Sequence, residues 1–263
     1  MKDLKYHLDR ARKTKRAIGQ FNFSTLEQLR GILLAAKRTR SPVIVGTSGG
    51  EIDYLGLQEA VSLVNISREK YGVEAFLNLD HNTDEQFIKK AVDLGYSAVH
   101  FDGSGLSLEK NTKYAKKIAR YAHKHGVLVE GELIKVGEES RFSVEETIGF
   151  IKSSQIDSFA LAIGNRHGFY RSVKIDLDRL KKIRSRTDAF LVLHGGSGID
   201  SRQIRAAIGA GIVKINVNTE IRMTWKKAFL KALKKKEVRP YEMIPSVVEA
   251  IAEIVEKKIK LFR

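Results

Sequence analysis

The strongest constraint in this sequence is an alternation. Eight short apolar runs read as strands: Ala17–Asn22, Pro42–Thr47, Glu74–Leu79, Ala98–Phe101, Val127–Glu132, Ser158–Ile163, Phe190–Leu193 and Ile212–Asn216. Between them lie longer amphipathic stretches near 25–38, 56–70, 83–94, 107–125, 144–153, 177–186 and 200–209, with 219–235 after the last. Several runs are apolar at nearly every residue, as parallel strands covered on both faces are. Eight strand–helix units of about thirty residues each predict a single closed (β/α)8 TIM barrel spanning residues 1–263, with a doubly wound open sheet as the runner-up. Residues 1–16 read as a leading helix and Pro245 to Lys260 as a final amphipathic one. Ser24 or Thr25, Thr83 with Gln86, Ser143 with Glu146, and Asp200 read as helix starts.

Composition narrows the chemistry. The 263 residues are 43% hydrophobic and 30% charged, which suits a globular chain, and no apolar run approaches the eighteen or so residues that span a bilayer. The N-terminus lacks the apolar core of a signal peptide, so the expected compartment is the cytoplasm, with no membrane partner. Cysteine is absent, which excludes disulfides, thiolate metal sites and thiol nucleophiles. Any metal must be held by His, Asp or Glu. The 47 basic against 31 acidic residues give a net charge of +16, which favours anionic substrates. The lysines fall mostly at helix-face spacing without interleaved aromatics, so no nucleic-acid partner is expected.

Barrel enzymes build their sites from the C-terminal ends of strands and the loops beyond them. Polar residues gather there: Asp80 and His81 after the third strand, Asp102-Gly103-Ser104 after the fourth, and Glu130 and Glu132 at the end of the fifth. Gly164-Asn165-Arg166-His167-Gly168 follows the sixth, His194-Gly195-Gly196-Ser197-Gly198 the seventh and Asn216-Val217-Asn218-Thr219 the eighth. Of seven histidines, His81, His167 and His194 lie one step past a strand, with Asp102 and Glu132 on the same rim. Three imidazoles plus an open position suit catalytic zinc. His7, His100, His123 and His125 fall in helices or mid-strand and read as structural. Gly195, Gly196 and Ser197 precede a helix, so their N–H groups and the Ser197 hydroxyl suit a phosphate, with Asn218 and Thr219 alongside. Thr47-Ser48-Gly49-Gly50 reads as a loop with a weaker anion-binding signal.

These stretches resemble, in order and over nearly the whole chain, the class II metal-dependent fructose-bisphosphate aldolases and the wider ketose-bisphosphate aldolase family. The matching segments are Gly19-Gln20-Phe21-Asn22, Asp80-His81, Phe101-Asp102-Gly103-Ser104, Glu130-Gly131-Glu132-Leu133, Gly164-Asn165-Arg166-His167-Gly168, Leu193-His194-Gly195-Gly196-Ser197-Gly198 and Lys214-Ile215-Asn216-Val217-Asn218-Thr219-Glu220.

The resemblance implies that His81, His167 and His194 hold Zn2+, with Asp102 and Glu132 offering an alternative or second divalent-metal position. It implies that Asp80 is the acid–base residue at the C4 hydroxyl, and that Glu139, or its neighbour Glu138, is the mobile-loop carboxylate. Gly168, Gly195, Gly196, Ser197, Asn216, Val217, Asn218 and Thr219 would cradle the dihydroxyacetone-phosphate half, and Ser48 would face the other phosphate. A monovalent cation at the phosphate and a homodimer or homotetramer also follow from the resemblance. The implied reaction is reversible cleavage of fructose 1,6-bisphosphate, a phosphorylated sugar, to dihydroxyacetone phosphate and glyceraldehyde 3-phosphate. The alternatives are tagatose 1,6-bisphosphate or another ketose bisphosphate and, more distantly, an inactive barrel that binds nucleic acid through its basic surface.

Overall fold

The computed structural model describes residues 2–135, 137–138, 140–170 and 173–263. In chain order the elements are α1 (Leu4–Lys13), β1 (Ile18–Asn22), α2 (Leu26–Thr39), β2 (Val43–Ser48), α3 (Gly49–Leu55), α4 (Leu57–Tyr71), β3 (Ala75–Asn82), α5 (Glu85–Asp93), β4 (Ala98–Asp102) and α6 (Leu108–Lys124). They continue as β5 (Leu128–Glu132), α7 (Val144–Ser154), β6 (Ser158–Ala160), α8 (Leu177–Arg184), β7 (Phe190–Leu193), α9 (Ser201–Gly209), β8 (Ile212–Val217), α10 (Thr219–Ala232), α11 (Pro240–Met243) and α12 (Pro245–Leu261). The eight strands pair in parallel in sequence order, and β1 meets β8 from Ile18↔Lys214 to Phe21↔Val217. This is the expected (β/α)8 TIM barrel, and the closing pair excludes the open sheet.

Side-chain parity explains where the site sits. Alternate residues of a strand point to the same face, save at the start of β8, where the register against β7 shifts between Leu191 and Val192, and the inward positions change character along the barrel axis. At the N-terminal end they are apolar: Ile18, Ile44, Phe76, Ala98, Leu128, Phe190 and Val213 form a buried layer that Leu4, Leu8 and Ala11 of α1 plug from below. Each leucine of that plug contributes roughly 1.5–3 kcal/mol of burial. Further along the strands the interior turns polar, with Gln20, Asn78, His100, Glu130 and Lys214 all buried. One more step brings Asn22, Asp80, Glu132 and Asn216, also buried, and Asp102, half-buried, to the mouth.

Local chemistry sets the helix starts. Thr25 and Gln28 form a capping box on α2, and Ser143 and Glu146 form another on α7. The start of α5 lies one residue beyond the sequence expectation. Asp84, rather than Thr83, caps it, its Oδ1 accepting from Gln86 N–H at 2.7 Å and Phe87 N–H at 3.1 Å. The stretch after β2 is the helix α3 rather than a loop. Glu51 Oε2 accepts from both the N–H and the hydroxyl of Ser48, at 2.7 and 2.9 Å, and satisfies the helix entry despite two glycines. Strand β6 ends at Ala160, three residues early; Asn165 Oδ1 then accepts the Ile163 N–H at 2.9 Å and turns the chain out of the ladder.

Candidate active site

Successive residues of a regular strand face opposite ways, so an undistorted β3 could not send both Asp80 and His81 into the barrel mouth. The β3–β4 ladder shifts register between Leu79 and Asn82, and His81 adopts a left-handed backbone with φ 48°. Both side chains therefore reach the interior. Asp80 Oδ2 accepts from Asn22 Nδ2 at 3.0 Å and Oδ1 from Asn216 Nδ2 at 3.2 Å. Burial opposes ionisation of Asp80, but the His81, His100 and His194 rings and Lys214 outweigh it and hold the carboxyl well below its usual range.

The histidines are oriented by carboxylates behind them. His81 places Nδ1 3.2 Å from Asp102 Oδ2, and His194 places Nε2 2.6 Å from Glu130 Oε1. Glu130 Oε2 in turn accepts from Lys214 Nζ at 2.6 Å, all three groups being buried. A carboxylate accepts, so each ring carries its proton on the carboxylate side and turns its other nitrogen inward. Those two nitrogens, His81 Nε2 and His194 Nδ1, face each other at 2.9 Å. Two lone pairs repel at that distance, so the contact requires either a proton or a cation that both nitrogens ligate. Burial lowers the pKa of His194. At His81, burial and the His100 ring oppose protonation, but Asp80, Asp102 and Glu132 prevail and raise it. Burial likewise opposes ionisation of Asp102, but His81, His100 and Ser104 keep its pKa low; Ser104 donates its hydroxyl at 2.6 Å and its N–H at 3.1 Å.

The donor set fits a divalent cation. Ligand atoms of Asp80, His81, His100 and His194 lie within 4.8 Å of one another, and so do those of His81, Asp102 and Glu132. Glu132 is fully buried, yet neither carboxylate oxygen has a hydrogen-bond donor, and His100 Nε2 and Asn216 Oδ1 also lack partners. Buried carboxylate oxygens without hydrogen-bond donors are costly unless a positive charge sits among them.

His100, read from sequence as structural, stands in the middle of this cluster. Its Nδ1 accepts the His81 N–H at 3.2 Å and its Nε2 lies 3.3 Å from Glu132 Oε2. Its parity is the signal that marks it, because it lies two residues before Asp102 on the same strand face. The other histidines read as structural do sit away from the mouth: His7 contacts Glu74, His123 pairs with Asp157, and His125 contacts the Tyr121 carbonyl. Lys214, Glu51 and Asn22 also emerge as site residues that sequence reasoning left without a role. Asn22 Nδ2 bridges Asp80 and Glu51 at 3.0 Å each, and Glu51 Oε1 accepts from Arg222 Nη2 at 2.7 Å.

His167 stands on the exposed loop after β6, its ring centroid 5.1 Å from that of His81 and 6.3 Å from that of His194. Partial desolvation, followed by the His81 and His194 rings, pushes its pKa down to about 4, so at neutral pH it is an uncharged ligand candidate. The glycine turn after β7 is tightly constrained. Gly195 has φ 65°, and a Cβ there would lie 2.1 Å from the Arg166 carbonyl oxygen. Gly196 does not offer its N–H, which donates to the Asn216 carbonyl at 2.9 Å. Ser197 Oγ accepts the Glu220 N–H at 3.2 Å, which ties the turn to the first residues of α10. Gly168 has φ 119°, Val217 is buried at the end of β8, and Thr219 opens α10. Asn218 and Ser48 are engaged elsewhere, Asn218 Nδ2 donating to Glu51 Oε1 at 3.1 Å and the Ser48 hydroxyl to Glu51 Oε2. Glu139 lies outside the described residues; its neighbour Glu138 is exposed.

The mouth of this barrel carries a candidate metal-binding cluster, and sequence comparison identifies the family. The family model for "Fructose-bisphosphate aldolase class-II" matches residues 2–263, and the chain belongs to that metal-dependent family. It is 37% identical over 266 residues to a 6-phospho-5-dehydro-2-deoxy-D-gluconate aldolase of Shouchella clausii, covering 96% of this chain and 91% of that one. It is also 37% identical over 245 residues to a fructose-bisphosphate aldolase of Geobacillus stearothermophilus, covering 88% and 85%. Among solved structures, the YdjI aldolase of Escherichia coli K12 superposes with a TM-score of 0.89 at 28% identity, covering 99% of this chain and 96% of that one. No helix among the described residues is long and apolar enough to cross a membrane.

Proposed function

We propose that the chain catalyses reversible aldol cleavage of a phosphorylated ketose to dihydroxyacetone phosphate and an aldehyde, with Zn2+ held by His81, His167 and His194. Fructose 1,6-bisphosphate is the leading substrate. The observation that carries this reading is the facing pair His81 Nε2 and His194 Nδ1 at 2.9 Å, each ring oriented from behind by a carboxylate, with Asp80 beside them. A divalent cation there supplies a Lewis acid for the ketone oxygen, where negative charge accumulates as the C3–C4 bond breaks.

The protein groups supply the proton transfer and the positioning. Asp80, ionised and held at both oxygens by Asn22 and Asn216, is the base that takes the C4 hydroxyl proton during cleavage and returns it during condensation. The N–H groups of Gly195 and Ser197, the Ser197 hydroxyl and the start of α10 at Thr219 supply donors for the phosphate. Asp102 and Glu132 offer the second metal position. Glu139, with Glu138 as its alternative, is the candidate for the proton at C1.

A second substrate belongs in the same assay, because the Shouchella relative is as similar as the Geobacillus one and aligns over more of the chain. Breaking the C3–C4 bond of 6-phospho-5-dehydro-2-deoxy-D-gluconate, between its two hydroxylated carbons, also releases dihydroxyacetone phosphate, so both substrates share the half that the Ser197 turn would hold. The test is to strip the purified chain with a chelator, add back zinc or cobalt, and follow release of dihydroxyacetone phosphate from each substrate and from tagatose 1,6-bisphosphate. Loss and recovery of cleavage, fastest with fructose 1,6-bisphosphate, is the expected result. Cleavage that survives complete metal removal overturns the mechanism, and faster cleavage of another substrate reassigns the aldehyde half.

A further inference from the structure

The N-terminal face of a TIM barrel ordinarily serves stability rather than chemistry. Here it carries a cavity of about 180 Å³ between α1, the entry to β1, the end of α2 and the C-terminal residue. Arg10, Arg16, Arg40 and Arg263 line it, and Glu74 is the one acidic side chain among the lining residues. The Arg263 guanidinium donates to the Thr39 carbonyl and the Ser41 hydroxyl. Among the described residues, the side chains of Arg10, Arg16 and Arg40 make neither a hydrogen bond nor an ion pair. Other arginines of this chain do find acids, as Arg38 does with Glu249 at 2.6 Å and Arg12 with Asp9 at 2.6 Å.

The cavity also holds a buried polar atom without a hydrogen-bond partner. His7 is only 6% exposed and its Nε2 makes no hydrogen bond, although Glu74 Oε2 lies 3.2 Å away. Arg40 occupies the left-handed position that ends α2, with φ 49°, where glycine is the easier residue. Four guanidiniums against one acidic side chain repel one another, and a shared anion removes that repulsion.

We propose that this cavity is a binding site for a small oxyanion, orthophosphate or a compact phosphomonoester, on the opposite face of the barrel from the catalytic mouth. The planar guanidinium fork matches phosphate oxygens two at a time, which a lysine would not do. The volume corresponds to roughly six water molecules at about 30 Å³ each, enough for a phosphate or a three-carbon phosphate ester and too small for a nucleotide. A bound anion ties α1, the end of α2 and the C-terminal Arg263 together, so it stabilises the fold by mass action.

The test uses the full chain, with inorganic phosphate and glycerol 3-phosphate as probes, in equilibrium dialysis and thermal melting. Wild type is expected to bind two phosphates per chain, one at the mouth and one at the arginine cavity, and to melt at higher temperature in phosphate. The Arg10→Ala/Arg16→Ala/Arg40→Ala variant is expected to lose at least tenfold in affinity at one of the two sites, with its kcat and KM for sugar cleavage unchanged. A control with the same charge loss on the outer face of α6, Lys113→Ala/Arg120→Ala/Lys124→Ala, is expected to keep both sites. Arg16→Glu, a single change at an exposed turn residue, repeats the comparison should the triple variant fold poorly. The probe that binds more tightly identifies free phosphate or a phosphomonoester as the ligand. Unchanged phosphate binding in the arginine variants, or equal loss in the α6 control, overturns the proposal, whereas a single phosphate that the arginine variants lose removes only the site at the mouth.

Discussion

His81 Nε2 and His194 Nδ1 meet at 2.9 Å across the barrel mouth, and the other nitrogen of each ring is turned to a carboxylate. The carboxylates orient both rings from behind, so the facing nitrogens share either a proton or a cation that both ligate. His194 is fully buried and anchored from behind, which makes it the less replaceable of the two. His194→Ala is expected to leave less than about a tenth of the wild-type metal content after gel filtration. It should lower cleavage by more than the roughly 10–100-fold typical of losing an outer-shell partner. Retained metal with retained turnover would remove His194 from the ligand set.

The barrel is legible in the sequence because each strand is a short apolar run between turn signals, and periodicity reports that directly. The strand-end histidines and carboxylates are legible for the same reason. What periodicity does not report is a bulge. Asp80 and His81 are neighbours, and only the register shift after Leu79 brings both inward. His100 is hidden by its apolar neighbours Val99 and Phe101, although its parity with Asp102 marks it as inward. The helix α3 is hidden by Gly49 and Gly50, although Ser48 and Glu51 stand at capping-box spacing. The consequence is chemical as well as structural, because that box occupies the Ser48 hydroxyl expected for a phosphate.

Two glycines near the mouth are expected to respond oppositely to alanine. Gly49 opens α3, and a Cβ added there would meet nothing within 4 Å, so Gly49→Ala relieves helix entropy and should stabilise by up to about 1 kcal/mol. Gly195 has φ 65° and a Cβ there would lie 2.1 Å from the Arg166 carbonyl oxygen, so Gly195→Ala should destabilise by more than that and displace the His167 loop. Urea midpoints measure both. Equal signs for the two changes would mean that the turn is not constrained as described.

Glu85 at the start of α5 pairs with Lys89, its Oε1 lying 2.6 Å from Lys89 Nζ and 3.0 Å from Lys117 Nζ on α6. The Lys89 contact, ahead of Lys117, holds its pKa below the usual value of 4.5. A depressed folded-state pKa adds stability above the unfolded pKa, and that stability is lost as the pH falls through the folded value. Lys117 is largely solvated, so the pair is worth no more than about 1 kcal/mol. Glu85→Gln should therefore lower the urea midpoint slightly at neutral pH, with the difference narrowing steadily below about pH 4.5. A difference that stays constant across that range would assign the effect to packing instead.

The buried chain from Lys214 through Glu130 to His194 serves two ends that substitution can separate. Glu130 Oε1 orients His194, while Glu130 Oε2 neutralises Lys214, each at 2.6 Å. Glu130→Gln leaves a buried ammonium without its counter-charge, which costs about 3–5 kcal/mol, and it weakens the hold on the His194 tautomer, which costs about 10–100-fold in metal affinity. Adding Lys214→Met removes the stranded charge and fills similar volume. The double variant should regain most of the lost stability in urea, yet keep the weakened zinc affinity in a competition titration with a chromogenic chelator. Recovery of both together would mean that Glu130 acts on the metal site only by keeping the barrel folded; recovery of stability alone assigns it the orientation of His194.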